Sequence, residues 1–514
     1  MNEFDRETYD EYYRWLQTDR TAKGVRSISL TNLASAYLTV SYAYKNRYKL
    51  NANMRIDGSN QFGSRANEKI LPVWSFSGRW NIKNDLMERS RWLDALSLQA
   101  SVGIQGNMLS SESSEIIIRR GPINSAFNEY GSTVASYPNP DLRWEKTTST
   151  NLMLDFSLFG GRIVGNVNYF YKKTKDAFLP KIISSVNGPT SYTVNSGTIQ
   201  NQGLELSFSF TPINRITRER PNGFRWTIAP QLSRVMNELH SSDGATDRTS
   251  RNEFTYDDYL NGSIEIPGRS LNSFYSYRFV GLDGPYGRPL FHNIGSDKEA
   301  LYNTMSKDEV FQQVMVYSGR RVPVIQGSIL NSFSWMRFTL SVNLAYSLGS
   351  KVRLLSMYPN VSGAGGTIAP QPEENVRKEF GGRWMKPGDE ARTNIPGVLS
   401  GSAFENTLGA GNWWYNKPYV FADNIWQMYD NSALRVASGD YLRLQSLSLR
   451  YNIPQPICNR LRLKTAYVGF AATNLFVICD SKLKGQDPTT QSGSSTVLNM
   501  SYRPTYSFNL NISF

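Results

Sequence analysis

The sequence predicts an all-β protein, an antiparallel transmembrane β-barrel, and three observations support this fold class. Apolar and polar residues alternate with a period of two over most of the chain. The alternating segments are joined by connections of two very different lengths. Tyr, Phe and Trp make up 13% of the 514 residues, although the mean hydropathy is only −0.43. Aromatic bands at the two membrane interfaces would account for that combination.

The alternation is clearest at the C-terminal end of the chain. Every second residue there is apolar: Tyr506, Phe508, Leu510, Ile512 and Phe514. The residues between them are Ser and Asn, so one face of this strand suits lipid or a core and the other suits water. The pattern recurs from about residue 33 onward. We expect about thirteen strands, each close to the length that crosses a bilayer when the strand is tilted.

The connections between these segments fall into two classes. Residues 45–47 and 160–161 are tight turns, whereas residues 351–439 form a very long irregular connection. Short turns on one side and long loops on the other are typical of outer-membrane barrels. A compact soluble domain rarely contains a loop of that length. A soluble β-rich binding protein is the alternative, because sandwiches and propellers also alternate.

The distribution of charged residues along the sequence indicates which classes of partner are unsuitable. The formal charge is +13, from 56 Lys and Arg against 43 Asp and Glu. These residues are spread along the sequence rather than concentrated in a tail or a stripe, which argues against a nucleic-acid partner. We expect the arginines in loops and along a polar lumen.

Residue types that support catalysis or metal binding are scarce. The two cysteines, Cys458 and Cys479, are too few for a disulfide framework or a four-cysteine zinc site. His240 and His292 stand in no nucleophile motif, and no pair of carboxylates is singled out by its spacing. We therefore predict no enzyme activity, no cofactor and no metal site.

The longest connection contains a group of aromatic residues: Trp413, Trp414, Tyr415 and Trp426. Exposed Trp and Tyr rings stack on sugar rings or on apolar ligand surfaces. We expect this group to contact a substrate or a partner protein. The alternative is that the rings pack the loop against itself, since a large loop needs a small core of its own.

Several short segments occur in a distinctive order: residues 55–63 (RIDGSNQFG), 96–107 (LSLQASVGIQGN), 139–147 (NPDLRWEKT), 195–206 (NSGTIQNQGLEL), 441–454 (YLRLQSLSLRYNIP), 474–476 (NLF) and 485–488 (GQDP). In this order they resemble the motifs of the SusC/RagA family of TonB-dependent outer-membrane transporters. The resemblance covers residues 33–514, which are expected to form the barrel region, and residues 1–32 stay unassigned.

The resemblance implies the C-terminal arc, about thirteen strands, of a barrel of about 22 strands embedded in outer-membrane lipid. It implies uptake of an oligosaccharide or a peptide together with a SusD-like surface lipoprotein. It also implies a mainly structural role for the motif residues, which are Arg55, Asp57, Gly58, Ser59, Phe62, Gly63, Gly106, Asn107, Trp144, Glu145, Gly203, Glu205, Arg443, Asn474, Asp487 and Pro488.

Further implications concern the two ends of the chain. Members of the family carry a signal peptide, a TonB box and a plug domain ahead of the region that matches here. We therefore expect no plug domain in this chain and contact with the TonB complex only through that other region. Phe514 is similar to the terminal signal that the barrel-assembly machinery reads. On this interpretation the chain is a fragment, a split gene product or a decayed copy, and a non-functional barrel fragment is a second alternative.

Overall fold

The computed structural model describes residues 11–15, 32–59, 70–107, 116–124, 127, 129–136, 144–182, 191–217, 220, 222–241, 256–264, 266, 268–305, 307–358, 377–399, 425–489 and 503–514. Its main element is one antiparallel sheet of thirteen strands, and the order of the strands in space follows their order along the chain. These strands are β1 (Leu33–Tyr44), β2 (Tyr48–Ser59), β3 (Ile70–Trp80), β4 (Leu93–Asn107), β7 (Glu145–Leu158), β8 (Ile163–Lys175), β11 (Thr198–Asn214), β12 (Arg225–Ser241), β17 (Ile325–Trp335), β18 (Phe338–Leu348), β21 (Tyr441–Asn452), β22 (Thr465–Cys479) and β23 (Thr505–Ser513).

The remaining strands form five separate two-stranded sheets. These pairs are β5 (Ile117–Asn124) with β6 (Glu129–Ser136), β9 (Phe178–Ile182) with β10 (Ser191–Asn195), β13 (Ser273–Tyr277) with β16 (Met315–Arg320), β14 (Phe279–Leu282) with β15 (Pro289–Phe291), and β19 (Lys351–Arg353) with β20 (Val436–Ser438). Short α-helices span Ile82–Asp85, Tyr256–Asn261, Glu299–Tyr302, Lys307–Val314, Ile425–Asp430 and Gln455–Arg460. Single 3₁₀ turns span Ser296–Lys298, Lys378–Gly382, Asp389–Ala391, Ala433–Arg435 and Ser481–Leu483. Within the described residues, no helix is both long enough and apolar enough to cross a membrane.

One face of the thirteen-stranded sheet is predominantly apolar. Leu38 of β1 lies opposite Met54, Met54 lies opposite Trp74, and Trp74 lies opposite Ile104. At the other end of the sheet, Val468 lies opposite Leu510, which is 65% exposed. Because the register keeps apolar residues opposite apolar residues, the exposed face is the surface expected of a membrane-spanning sheet.

The opposite face is lined with hydroxyl and amide groups that bond across strands. Ser41 donates to Asn51 Oδ1 at 2.7 Å, and Asn51 donates in turn to Ser77 Oγ at 3.4 Å. On the neighbouring strands, Asn151 donates to Ser101 Oγ at 3.2 Å. In these bonds uncharged hydroxyl and amide groups act as each other's hydrogen-bond partners. This face therefore suits contact with water and with polar solutes.

The connections of the sheet alternate between its two ends, because consecutive strands are antiparallel neighbours. One end holds only short turns: residues 45–47, 81–92, 159–162, 215–224, 336–337 and 453–464. The other end holds the six connections that we call long. Residues 60–69 number only ten, and the other five are far longer: residues 108–144, 176–197, 242–324, 349–440 and 480–504. The predicted all-β fold, the thirteen strands and the division into short turns and long loops are thereby confirmed.

Two of the long connections fold together at that end. We call their described part the cap, which comprises the described residues within 256–321, 351–358, 377–399 and 425–438. Its core holds nineteen buried hydrophobic residues, and many of them are aromatic, such as Tyr259, Phe311, Tyr358, Trp426 and Tyr429. The described parts of these loops thus bury their own apolar residues in a common core.

Candidate functional site

The cap is the first part of the candidate site, and its core includes one of the aromatic residues that were expected to be exposed. Trp426 is fully buried in the helix Ile425–Asp430, and its indole nitrogen donates to Gly397 O at 3.2 Å. The prediction that Trp426 offers its ring to a partner is therefore wrong. The ring packs the loop against itself, because a helix at this position turns it into the core. Trp413, Trp414 and Tyr415 lie outside the described residues.

A buried arginine joins separate segments of the cap. Arg353 is fully buried and donates to Asn431 Oδ1 at 2.6 Å, to the carbonyl of Tyr275 at 3.0 Å and to Ser276 Oγ at 3.2 Å. Its guanidinium also lies 5.4 Å from the ring centre of Phe274. Loss of solvent lowers the pKa of Arg353 to about 10, so the side chain stays cationic at neutral pH.

A buried carboxylate precedes Asn431, the partner of Arg353, in the chain. Asp430 accepts from Ser356 Oγ at 2.7 Å and from the backbone amides of Met357 at 2.9 Å and Tyr358 at 2.8 Å. Arg435 Nε lies 3.5 Å from its Oδ1. Burial raises the pKa of the Asp430 carboxyl, and Arg435 with the three donors offsets part of that rise. Asp430 therefore fixes the chain from 356 to 358 against the helix that carries Trp426.

The loop that follows β22 connects the cap to the sheet. Gln486 donates to Arg353 O at 3.0 Å, and its side-chain oxygen accepts from Leu355 N at 3.0 Å and from Arg377 at 3.1 Å. One buried amide thus binds two separate segments of the cap. Gln486 is the residue that separates Gly485 from Asp487 in the GQDP segment, and the sequence alone assigned it no role.

The residue after Gln486 completes this connection on the sheet side. Asp487 pairs with Arg443 of β21 at 2.6 Å, and Arg443 also donates to Thr489 Oγ1 at 2.7 Å. Both members of the pair and Pro488 are buried. Adjacent residues of one motif therefore hold the cap and the sheet together, Gln486 on one side and Asp487 on the other.

Asn474 shapes the strand from which this loop emerges. Its φ is 53°, in the left-handed region, and the pairing of β21 with β22 shifts at this point. Asn tolerates that conformation better than most residues, and an extra residue in one strand bends the sheet locally. The NLF segment thus marks a β-bulge beside the cap connection.

Two pairs of motif residues meet at strand ends toward the long connections. Arg55 and Asp57 form an ion pair at 2.6 Å near the end of β2, where Gly58 and Ser59 complete the strand. Asn107 donates to Glu145 Oε2 at 3.1 Å, one position beyond Gly106. Trp144 is buried just before β7. Phe62 and Gly63 lie outside the described residues.

Gly203 and Glu205 lie on the polar face of β11. A Cβ at Gly203 would come within 2.5 Å of the Phe170 ring and 2.6 Å of Arg234 O, so only glycine fits. Glu205 accepts from Asn168 of the neighbouring strand at 3.0 Å. Asp155, on the same face, accepts from Asn166 at 2.6 Å. These carboxylates are spaced among hydroxyl and amide groups, and no group of three or more potential metal ligands occurs among the described residues.

Comparison with known proteins agrees with this arrangement. The family model described as "TonB dependent receptor-like, beta-barrel" matches residues 2–324. TonB-dependent receptor P26 of Formosa agariphila is 25% identical over 470 residues, which cover 88% of this chain and 42% of that protein. TonB-dependent receptor SusC of Bacteroides thetaiotaomicron is 28% identical over 370 residues, which cover 68% of this chain and 34% of that protein.

Solved structures share the fold. The structure of the RagAB peptide transporter superimposes with a TM-score of 0.70 at 20% identity, over 95% of this chain and 49% of that chain. The chain therefore spans less than half the length of the relatives that it matches. The family model covers more than half of the chain, and the sheet, its two unlike ends and its two unlike faces agree with it. This chain belongs to the TonB-dependent receptor-like β-barrel family of outer-membrane proteins, and it is similar to SusC in sequence and to the RagAB transporter in fold.

Proposed function

We propose that this chain forms the C-terminal barrel wall of a TonB-dependent importer of oligosaccharides or peptides. The observation that carries the proposal is the division of the thirteen-stranded sheet into a predominantly apolar face and a hydroxyl- and amide-rich face. Hydroxyl and amide groups exchange hydrogen bonds readily with sugars and with peptide groups. Such a face suits the passage of hydrated polar solutes.

The two edges of the sheet indicate whether this wall can function alone. Among the described residues, the outer edges of β1 and β23 pair with no other strand. An unsatisfied backbone group in lipid costs several kcal/mol, so a row of them is not tolerated. We propose that both edges pair with further strands of a larger barrel and that residues 33–514 alone do not transport. TonB would then act on a plug region that is separate from residues 33–514, and Phe514 would serve the barrel-assembly machinery.

A surface lipoprotein of the SusD type is the proposed partner at the end that carries the long connections. The cap supplies a folded platform there, held to the sheet by Gln486 and Asp487. We propose that Trp413, Trp414 and Tyr415 contact that partner or the cargo, since each belongs to a connection at this end. The relatives are named as receptors, and we propose no catalytic step for this chain.

Uptake by cells is the direct test of the proposal. The chromosomal gene would be removed and restored as the wild type or with Trp413, Trp414 and Tyr415 all changed to Ala. Labelled oligosaccharide and oligopeptide pools would then be offered with and without a functional TonB. We expect one of the two pools to be lost on removal and recovered with the wild type only when TonB is present.

The triple variant separates transport from partner contact. We expect it to reach the outer membrane in normal amount but to co-purify with less lipoprotein or to import less cargo. Changing the exposed residues Lys378, Lys386 and Arg392 to Ala provides a matched control in the same long connection. Uptake of both pools that is independent of the gene and of TonB would overturn the proposed function.

A further inference from the structure

The positive charge of the protein is concentrated at one end of the sheet. The six short turns contain thirteen Lys and Arg and three Asp and Glu, a formal net charge of +10 out of +13 for the whole chain. The six long connections contain 27 Lys and Arg and 28 Asp and Glu, a net charge of −1. The basic residues are scattered in the sequence, but they come together in space because every second connection lies at the same end.

Exposed apolar side chains are interleaved with these charges. Arg91 precedes Trp92, which is 51% exposed, and Arg460 and Arg462 flank Leu461, which is 60% exposed. Arg337 follows Met336, which is 58% exposed. We call the described residues of the six short turns the basic rim. Exposed Trp, Met and Leu side chains beside basic residues are typical of an interaction surface rather than of a surface that only contacts water.

The basic rim lies where the apolar face of the sheet ends. Trp335 lies opposite Phe338 in the last pair before the turn at 336–337, and the ring of Phe338 is 4.8 Å from that of Tyr451. Aromatic rings of this kind sit at the level of lipid headgroups, and basic side chains beyond them reach the phosphates. In outer-membrane barrels the short turns face the periplasm, so this is the periplasmic leaflet.

Some basic side chains of the rim form bonds within the rim. Arg47 pairs with Asp85 at 3.1 Å, and Lys83 donates to three backbone carbonyls, those of Met87, Glu88 and Ser90. These bonds give the turns a defined shape. Arg91, Arg162, Arg337, Arg460, Arg462 and Lys464 are exposed. They are among the exposed side chains of the rim that can bind an external anion, together with Lys45, Arg89, Arg215 and Arg220.

We propose that the basic rim binds the headgroups of anionic phospholipids in the periplasmic leaflet of the outer membrane. The charge complementarity, the interleaved apolar side chains and the position at the end of the apolar face all fit a lipid surface better than a soluble acidic protein. Each basic side chain close to an anionic surface strengthens binding by roughly fivefold. The proposal does not depend on the nature of the imported cargo.

The test measures the lipid composition around the complete barrel that contains this chain. The protein would be equilibrated with mixed phosphatidylethanolamine and phosphatidylglycerol, and the bound lipids would be quantified by native mass spectrometry. The rim variant combines Arg337→Gln, Arg460→Gln and Arg462→Gln. We expect the wild type to enrich phosphatidylglycerol over the bulk mixture and the rim variant to reduce that enrichment by about tenfold or more. The enrichment should also weaken as salt is raised.

Two matched variants give this test its controls. Replacing the same three arginines with Lys keeps the charge and should keep the enrichment. Changing Lys378, Lys386 and Arg392 to Gln removes as much charge from the opposite end of the sheet. This change should also leave the enrichment of phosphatidylglycerol unchanged. No enrichment by the wild type, an unchanged rim variant, or an equal loss in the opposite-end variant would each overturn the proposal, as would enrichment that is insensitive to salt.

Discussion

Arg443 and Asp487 form a buried ion pair in which one guanidinium nitrogen contacts both carboxylate oxygens, at 2.6 and 2.7 Å. Both side chains are only 9% exposed. Arg443 belongs to β21 of the sheet and Asp487 to the loop after β22, so the pair fastens that loop to the sheet. The neighbouring Gln486 binds the cap. One short segment therefore contacts both the sheet and the cap and fixes their relative position.

Removing Arg443 should release this loop. Arg443→Ala leaves the Asp487 carboxylate buried without its cation, and breaking such a pair costs about 3–5 kcal/mol. We expect faster hydrogen exchange of the amides of residues 481–489, measured by mass spectrometry. Arg450→Ala is the control, because Arg450 lies on the same strand and is exposed. Equal protection of this loop in both variants would contradict the role given to the pair.

Gln486 should control the attachment of the cap rather than the integrity of the sheet. Gln486→Ala removes three side-chain hydrogen bonds and leaves buried groups without their partner, at a cost of about 1–3 kcal/mol for each such group. We expect earlier protease cleavage in the cap, while the heat-resistant migration of the barrel on gels stays unchanged. Lys482→Ala, an exposed change in the same loop, should have no effect on cleavage. Identical cleavage of the two variants would refute this assignment.

Gly203 should tolerate no side chain. Gly203→Ala forces a methyl group against the Phe170 ring and the carbonyl of Arg234, and overpacking of this kind costs typically about 1–3 kcal/mol. We expect a lower yield of folded barrel and a lower melting temperature. Gly281→Ala is a suitable control, because no atom lies within 4 Å of an added Cβ there. A Gly203→Ala protein as stable as the Gly281→Ala protein would disprove the close approach.

The stability of the cap should depend on pH through Asp430. Burial raises the pKa of this carboxyl above its usual 3.8, so the folded cap binds more protons than the unfolded chain. Asp430 therefore contributes stability that is complete below the unfolded pKa and is lost as pH rises through the folded pKa. Relative to Asp430→Asn, the wild-type cap should lose stability as pH is raised from about 4, near the unfolded pKa of Asp. Urea midpoints for protease resistance of the cap would measure this, and a difference that does not vary with pH would count against it.

The parts of the fold that follow a repeating pattern could be predicted from the sequence. The alternation around Phe508 and Leu510 identified strands, since side chains of a strand point to opposite faces in turn. The tight turns at 45–47 and 160–161 identified one end of the sheet. The order of the motifs indicated a TonB-dependent outer-membrane protein, and the model of the TonB-dependent receptor-like β-barrel family matches residues 2–324.

The cap and its polar contacts could not be predicted in this way. Arg353 contacts Tyr275 across 78 positions of the chain, and Gln486 contacts Arg353 across 133. The alternation of apolar and polar residues along the sequence gives no indication of such long-range contacts. Trp426 was misjudged for a similar reason, because an aromatic residue in a long loop shows its burial only when its neighbours in space are known. The basic rim was missed because its charges are distant in sequence.

The central claim is that one face of the sheet contacts lipid and the other contacts water. It is tested most directly by single cysteines along β2, introduced after Cys458 and Cys479 have been changed to Ser. Leu50, Ala52 and Met54 lie on the apolar face, and Asn51 and Asn53 lie on the polar face. Each variant would be treated in intact outer membranes with a water-soluble thiol reagent and with a lipid-soluble one. We expect the water-soluble reagent to label positions 51 and 53 and the lipid-soluble reagent to label positions 50, 52 and 54, whereas labelling without this alternation would contradict the account.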